Sequence, residues 1–394
     1  MKFKDKFVLD DHFVNRNVWV SSWALSIALL GDALLYVVLP VHADAFGLSM
    51  AAVGVLLAIN RIIRTFTYGF IVGLGTALGT KRLALIASSV AAISTLGYGI
   101  TDGVLILSLS RVAWGLSYAG LLIVTLHYAS LNISKTGTRI GISRSIEQVG
   151  PLLVMVVGTW AASWVGPQKI FIYIGFVSAL AVLLAYFLIE LDEAEKPPKK
   201  TFKNFSIPRP KPIDSLIFWM GFGIDGVFTV TIALMWVKYS SPEVAIIIGG
   251  LILSIRRVGE MFIAPMSGNI SDKFGETSPL FAMLFLCGSG FFLVGTGHLI
   301  IGSVALVICR GALGTLFPAA ASKLYQNDRM TALTRNQTWR DIGAAAGPLL
   351  TGVLLGFISA EMIHLLMLSF FALTSCWFFA SGDCKRLSQL HLPD

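Results

Sequence analysis

The sequence contains little charge and little cysteine, and each shortage excludes a class of protein. Only 13% of its 394 residues are Asp, Glu, Lys or Arg, whereas soluble domains average roughly 25%. A chain this poor in charge cannot cover a surface that faces water, although it can cover one that faces lipid. The four cysteines have no CxxC or other metal-binding spacing, so we predict small core residues and no metal site.

Motifs of enzymes and of ATP-driven proteins are also absent. The sequence has no GxxxxGK[ST] loop for nucleotide phosphates and no HExxH or GxSxG motif. We therefore expect no cofactor, no catalytic residue and no direct use of ATP. The formal net charge is +8, but most of the positive residues lie in short loops between apolar runs, which argues against nucleic acid as a partner.

Long apolar runs are abundant. Apolar residues make up 55% of the chain and form runs long enough to cross about 30 Å of hydrocarbon as helices. Helices satisfy their own backbone polar groups inside lipid, so we predict an all-α membrane protein. The first run is too long for a signal peptide, and we expect no cleavable leader. The twelve predicted spans are 18–42, 49–73, 82–100, 103–130, 139–165, 169–189, 213–238, 243–267, 277–297, 299–326, 331–358 and 361–381.

Lysine and arginine in the loops predict the orientation. Twenty of them lie on one side of the predicted helices, and only Lys169 and Lys238 lie on the other. Because positively charged loops stay in the cytoplasm, we predict that both termini are cytoplasmic. The membrane is predicted to be a bacterial-type inner (plasma) membrane. The charged, proline-rich stretch 190–212 is predicted to be a cytoplasmic linker. It separates an N-terminal six-helix bundle, residues 1–189, from a C-terminal one, residues 213–394.

The two halves carry matching landmarks in the same order. Such correspondences over a long offset indicate an internal repeat. The matched positions are Asp32 with Asp225, Arg61 with Arg257, Gly79 with Gly275, Arg111 with Arg310, and Gly150–Pro151 with Gly347–Pro348, at offsets of 193 to 199 residues. Two parallel six-helix repeats joined by an inside linker are typical of one large family of transporters.

A loop in the second half carries the resemblance to that family. It runs from Gly268 to Gly275 as GNISDKFG and resembles the GxxxD(R/K)xG loop of the major facilitator superfamily. The resemblance implies twelve helices in two pseudo-repeats and a gate on the cytoplasmic side. The implied gate residues are Gly268, Asp272, Lys273 and Gly275, with Arg139 or Arg144 of the fifth helix as the partner of Asp272. The first-half loop has Thr76 in place of the aspartate, so the two gates are expected to be unequal.

Three further segments resemble the drug/proton antiporters of this superfamily. The fourth span carries Arg111 and Gly115 in an RxxxG pattern, the first span carries Asp32 with Pro40, and the fifth carries Gly150–Pro151. The resemblance implies a secondary transporter that works by alternating access, with the first, fourth, seventh and tenth helices around a central cavity.

Charged residues inside the spans are the candidate site, since charge in a bilayer costs free energy and usually has a function. The acids considered for proton coupling are Asp32, Asp225 and Glu260. The candidate substrate-binding residues are Tyr36, Arg61, Arg64, Arg111, Trp114, Tyr118, Arg256, Arg257, Arg310 and Arg340. An alternative is that pairs such as Asp32–Arg111 only hold helices together, and that Trp114 and Tyr118 only pack. Arg257 and Glu260, three residues apart, could neutralise each other.

We therefore predict a secondary transporter of a small anionic or zwitterionic organic molecule. Proton-coupled efflux is favoured, and the chain is expected to act as a monomer, with the substrate, protons and the lipid bilayer as its partners. Carboxylate-rich chelators such as siderophores are one possible substrate class. Two alternatives stay open: an importer of an organic acid or metal chelate, and a membrane-embedded enzyme that acts on a lipid-linked substrate.

Overall fold

The computed structural model describes residues 11–190 and 207–389, and most of the predicted linker 190–212 lies outside them. Within the described residues, helices follow the predicted spans closely. In the N-terminal half the helices are α1 Asp11–Val41, α2 Met50–Leu78, α3 Thr80–Ile100, α4 Val104–Ala129, α5 Thr136–Val165 and α6 Ile170–Tyr186. In the C-terminal half they are α7 Pro212–Trp236, α8 Pro242–Phe274, α9 Thr277–Gly295, α10 Leu299–Leu324, α11 Arg329–Leu354 and α12 Ala360–Ala380, followed by the short helix α13 Gly382–Gln389.

Nine of these twelve helices are apolar and long enough to span a membrane by composition alone. The other three differ for a physical reason. Helix α6 is apolar but shorter, while α8 and α11 carry charged residues along their length. Helix α8 also runs to Phe274, seven residues beyond the apolar run that predicted it, because its polar last turns continue the helix past the apolar segment.

Each half has its own apolar core. One cluster surrounds Trp114 and Leu121 in the first half, and another surrounds Phe291 and Phe317 in the second. Many large apolar side chains are exposed outside these cores, such as Phe262 at 71%. A surface of this kind is suited to contact with lipid tails, which are apolar and form no hydrogen bonds with polar side chains.

Glycine allows the helices of one half to approach each other closely. A Cβ atom on Gly150 would lie 2.2 Å from the backbone oxygen of Ser26, so α5 packs directly on α1. In the second half, Gly343 and Gly347 contact the backbone of α7 at Phe218 and Phe222 in the same manner. The glycine and proline motifs of α5 and α11 therefore serve helix packing, and a π-helical turn, Val154–Gly158, follows the proline of α5.

The two halves also meet through glycine. A Cβ atom on Gly141 of α5 would lie 2.3 Å from the oxygen of Ala264 on α8, and one on Gly137 would lie 2.7 Å from the oxygen of Gly268. Helix α2 packs against α11 on the other side of the interface. Two helix pairs, α5 with α8 and α2 with α11, thus make the largest contacts between the halves, and α5 with α10 and α4 with α11 add smaller ones.

We call the end of the bundle that carries Lys81, Lys135 and Lys273 the basic face, and the other end the opposite face. Hydrogen bonds between the halves extend from the middle of the helices to the basic face. Near that face, Arg329 donates to the carbonyl oxygens of Ser130 and Leu131. The described contacts therefore close the molecule at its basic face.

Candidate functional site: a charged layer in the centre of the bundle

A buried ion pair links α1 and α4 in the first half. Arg111, which is fully buried, pairs with Asp32, whose carboxylate is 13% exposed. The Arg111 Nε also donates to the oxygen of Leu56 (3.0 Å), and Asn60 Nδ2 donates to Asp32 Oδ1 (3.3 Å). The Tyr36 ring lies 5.5 Å from the guanidinium carbon. Asp32 thus has one cationic partner, and the arginine is held on three sides.

The equivalent acid of the second half has several cationic partners. Asp225 Oδ1 accepts from Arg310 Nε (2.6 Å) and Arg256 Nη1 (2.8 Å), and Arg340 Nη2 lies 3.6 Å from Oδ2. Asp225 sits in a π-helical segment of α7, Gly221–Phe228, a geometry that often occurs at functional sites. Arg310 Nη1 also pairs with Glu260 (3.1 Å). The expected neutralisation of Glu260 by Arg257 is therefore wrong, because the tertiary fold brings Arg310 to the acid instead.

Two polar clusters lie where the halves meet. Arg64 Nε is 3.1 Å from Asp341 Oδ2, and Tyr68 Oη donates to the same oxygen (2.8 Å). These contacts tie α2 of the first half to α11 of the second. Adjacent residues 340 and 341 therefore serve different partners, as expected from their separation by about 100° around a helix.

The second of these clusters is centred on Glu147. Arg144 Nη1 (2.9 Å) and Tyr118 Oη (3.0 Å) both donate to Glu147, and Arg144 Nη2 lies 3.5 Å from Gln337 Oε1 in the other half. Arg144 thus pairs within its own helix, as its spacing of three residues allows.

Two arginines have no carboxylate partner among the described residues. Arg61 Nη1 donates to the backbone oxygen of Ala344 (3.1 Å), and Arg257 Nη1 donates to Gln148 Oε1 (3.3 Å). Both side chains are half-buried. Each of the two reaches from its own half to a neutral acceptor in the other.

The aromatic candidates lie mostly in the core. Trp114 is fully buried and packs against the Tyr118 ring at 6.2 Å, while the guanidinium of Arg64 covers Tyr118 at 4.4 Å. In this conformation neither ring presents a face on which a flat ligand could stack. Tyr36 is half-buried and is anchored by a hydrogen bond from its hydroxyl to the oxygen of Leu57 (3.0 Å).

The GNISDKFG loop of the second half, Gly268 to Gly275, binds a helix terminus. Asp272 accepts from the backbone N–H groups of Gly137 (3.0 Å) and Thr138 (2.7 Å) at the start of α5, where the helix dipole favours negative charge. Its cationic partner is Lys323 (3.4 Å), which also contacts Glu276. The pairing expected with Arg139 or Arg144 is therefore wrong.

The remaining gate candidates make other contacts. Arg139 pairs with Asp11 (2.7 Å) of α1, and Lys273 points to solvent as an exposed side chain. Gly275 ends α8 with a positive φ of 81°, and Gly79 ends α2 with φ of 92°. These are backbone conformations that glycine adopts readily, so the repeated glycines terminate equivalent helices.

Sequence reasoning did not select several members of these clusters. Asn60 could have been found, because the offset of 196 residues that relates Arg61 to Arg257 also relates Asn60 to Arg256. No comparable signal marks Tyr68, Gln148 or Lys323, since their importance comes from which helices face one another. They are polar side chains whose partners lie far away in the chain.

Comparison with known proteins identifies the family. The sequence model described as Major Facilitator Superfamily matches residues 22–255, more than half of the chain. This protein therefore belongs to the major facilitator superfamily. No curated protein matched the chain.

Solved structures show the same fold. The crystal structure of the human organic anion transporter MFSD10 (TETRAN) is 15% identical, with a TM-score of 0.73, over 92% of this chain and 98% of that one. The proton:xylose symporter XylE bound to 6-bromo-6-deoxy-D-glucose is 14% identical, with a TM-score of 0.68, over 93% and 95%. The protein is thus a multi-pass membrane protein and a secondary transporter for a small molecule, and it is not an enzyme.

Proposed function

We propose that this protein carries a small organic anion across the membrane by alternating access, coupled to proton movement through Asp32. The observation that supports this most strongly is the charge of the central layer. The residues of this layer are eight arginines, namely Arg61, Arg64, Arg111, Arg144, Arg256, Arg257, Arg310 and Arg340, and five acids, Asp32, Glu147, Asp225, Glu260 and Asp341. Eight minus five leaves an excess of three positive charges.

An excess of this size bears directly on the substrate. Moving one uncompensated charge to the centre of a bilayer costs about 2.5 kcal/mol or more. Water in the cavity reduces that cost, and a bound anion reduces it further. Arginine also suits carboxylate and phosphate groups, because its planar guanidinium can donate two parallel hydrogen bonds to them. The human structural neighbour is named as a transporter of organic anions. Such substrates carry negative charge, as carboxylates and phosphates do.

Asp32 is the preferred proton carrier among the three candidate acids. Its carboxylate has a single cationic partner and is 13% exposed. Asp225 contacts three arginines, and Glu260 contacts Arg310. Protonation of Asp32 breaks one ion pair, whereas protonation of Asp225 leaves three guanidinium groups close together without their shared acid. An anion bound in the layer would compete with Asp32 for the positive charge of Arg111, and this competition supplies coupling.

The experiment compares binding and proton-driven transport in one reconstituted preparation of Asp32→Asn. Thermal-shift screening of the wild type with organic anions and carboxylate-rich chelators, siderophores included, provides the ligand. The variant is expected to bind the ligand and exchange it while losing transport driven by a pH gradient. Asp44→Asn, at an exposed acid far from the layer, is the matched control. Full gradient-driven transport by Asp32→Asn would remove Asp32 as the carrier.

The direction of transport is proposed from the antiporter-like motifs of the first, fourth and fifth helices. We propose efflux, with the basic face in the cytoplasm. Counterflow in vesicles of known orientation tests this direction. Substrate that leaves the cytoplasmic side in exchange for protons supports efflux. Substrate that accumulates on the cytoplasmic side together with protons identifies an importer.

A further inference from the structure

The charged layer contains an asymmetry between paired and unpaired arginines. In six of its eight arginines, a guanidinium nitrogen lies within 3.6 Å of a carboxylate oxygen. Arg61 and Arg257 are the two exceptions, among the residues that the structure describes. Of these eight, the four most deeply buried, Arg64, Arg111, Arg144 and Arg310, are all in the paired group. The unpaired two keep part of their surface accessible.

The unpaired arginines occupy equivalent positions. They are separated by 196 residues, the same offset that relates Gly79 to Gly275, and they lie on α2 and α8. Each donates across the interface, Arg61 to Ala344 of α11 and Arg257 to Gln148 of α5. The repeat therefore places one uncompensated guanidinium in each half, aimed at the opposite half.

Their depth also corresponds. On α2 the bonds to α11 run from Tyr68 and Arg64 to Arg61. On α8 the contacts with α5 run from Gly268 and Ala264 to Arg257. In both series the unpaired arginine makes the contact furthest from the basic face. The two guanidinium groups thus lie at corresponding depths, at the end of each contact series that is furthest from the basic face.

From this arrangement we infer that the substrate is a dianion with two separate acid groups, one bound by Arg61 and the other by Arg257. The inference rests on the proposed function and adds the charge and shape of its substrate. A carboxylate or phosphate offers a guanidinium a charged acceptor in place of the neutral carbonyl or amide oxygen that it contacts now, and charge-assisted hydrogen bonds are roughly twice as strong. A dianion would offset two of the three excess charges and contact both halves at once.

The test uses three compounds with one carbon skeleton: succinate, its monoamide succinamate, and butyrate. Binding to the purified full-length protein is measured by calorimetry at constant pH and ionic strength, and glutarate and adipate extend the series in length. We expect at least one dicarboxylate to bind about tenfold or more tightly than the monoanion of equal length, since one charge-assisted hydrogen-bonded pair contributes roughly a factor of ten.

Variants assign the two sites. Arg61→Gln and Arg257→Gln should each lower dicarboxylate affinity about tenfold and change monoanion affinity much less, so that both variants lose the preference to the same extent. Arg61→Lys and Arg257→Lys keep the charge and should show a smaller loss, and they replace the glutamine variants if those fail to fold. Arg386→Gln, at an exposed residue of α13, should behave as the wild type.

The outcomes separate this inference from the proposed function. If monoanions and dianions of equal length bind the wild type equally, the inference is wrong and anion transport stands. If only one of the two arginine variants changes the preference, the bridging of two halves is wrong. If no anion of any charge binds or is transported, the proposed function and the inference fall together.

Discussion

The two halves build the same ion pair at their centres and surround it differently. Asp32 with Arg111 joins α1 to α4, and Asp225 with Arg310 joins α7 to α10. In both halves the acid lies on the first helix and the arginine on the fourth. The shared pair reflects the repeat in the sequence, so a functional difference between the two pairs comes from the residues around them.

The two pairs differ in the residue that comes directly before the unpaired arginine of each half. Asn60 donates to Asp32 at 3.3 Å, and its equivalent Arg256 donates to Asp225 at 2.8 Å. Arg340 then adds a further cation near Asp225. The first half therefore holds its acid with one cation and an amide, and the second half holds its acid with three cations. We propose that this difference leaves Asp32 available for proton coupling, while Asp225 holds arginines together.

The largest expected effect comes from removing the acid with three partners. Asp225→Asn leaves Arg256, Arg310 and Arg340 close together, and loss of one partner of a buried ion pair costs about 3–5 kcal/mol. We expect a strong loss of folded protein and of thermal stability in detergent. Asp32→Asn strands only Arg111 and should be the more stable of the two. A less stable Asp32→Asn protein would reverse the comparison.

Exchanging the differing neighbour should transfer the difference. Asn60→Arg gives Asp32 a second cation, at the position that Arg256 occupies in the second half. The added positive charge stabilises the charged form of the Asp32 carboxylate. Proton-driven transport should fall several-fold while the protein stays folded. The matched control is Asn132→Gln, at a loop amide that hydrogen-bonds Asp11 near the basic face. Transport by Asn60→Arg at the wild-type rate would show that the number of cations around Asp32 is unimportant.

A smaller effect is expected at the unequal gates. The second half has Asp272, Glu276 and Lys323 in one buried cluster, while the position equivalent to Asp272 is Thr76, which only bonds the oxygen of Gly73 (2.7 Å) within its own helix. Asp272→Asn removes the charge that faces the N-terminus of α5, so the basic face should open more often.

The measurement is thiol labelling of a Met330→Cys reporter, with the exposed Cys376 replaced by serine. Met330 belongs to α11 but is buried in the core of the first half, so labelling requires the halves to separate. Asp272→Asn should raise the labelling rate from the basic face several-fold, and Thr76→Val should leave it unchanged. Equal rates in all three proteins would contradict an unequal gate.

The smallest effect is expected from cutting the connection between the halves. The stretch 190–212 is predicted to be a linker. The described contacts that join the halves, such as Arg64 with Asp341 and Gly141 with Ala264, lie outside it. Co-expression of residues 1–196 with residues 201–394 should therefore leave transport close to that of the intact chain. Fragments that associate in the membrane and yet transport nothing would show that the stretch has a role of its own.

Much of the fold could be predicted because each membrane helix is recognisable from its own run of apolar residues. Apolar length predicted all twelve helices. The predicted end of α8 was seven residues short, since hydropathy detects contact with lipid and a helix can continue beyond it in a polar form. The candidate residues themselves were also visible, because charge is rare in such runs.

The pairing of those residues could not be predicted. Spacing along one helix suggested Arg257 with Glu260, and family resemblance suggested Arg139 or Arg144 with Asp272. The structure instead joins Glu260 to Arg310 and Asp272 to Lys323. Helical periodicity states which side chains share a face of one helix, but it does not state which other helix covers that face.

The sequence by itself determined that this protein spans the membrane as two related six-helix halves with more buried positive than negative charge. These properties depend on composition, on apolar length and on the order of landmarks along the chain. Among the described residues, the tertiary structure alone decided that Asp32 has one cation and Asp225 three, and that Arg61 and Arg257 face the opposite half without an acid. These properties depend on distances between helices far apart in the chain, which only packing of the whole bundle sets.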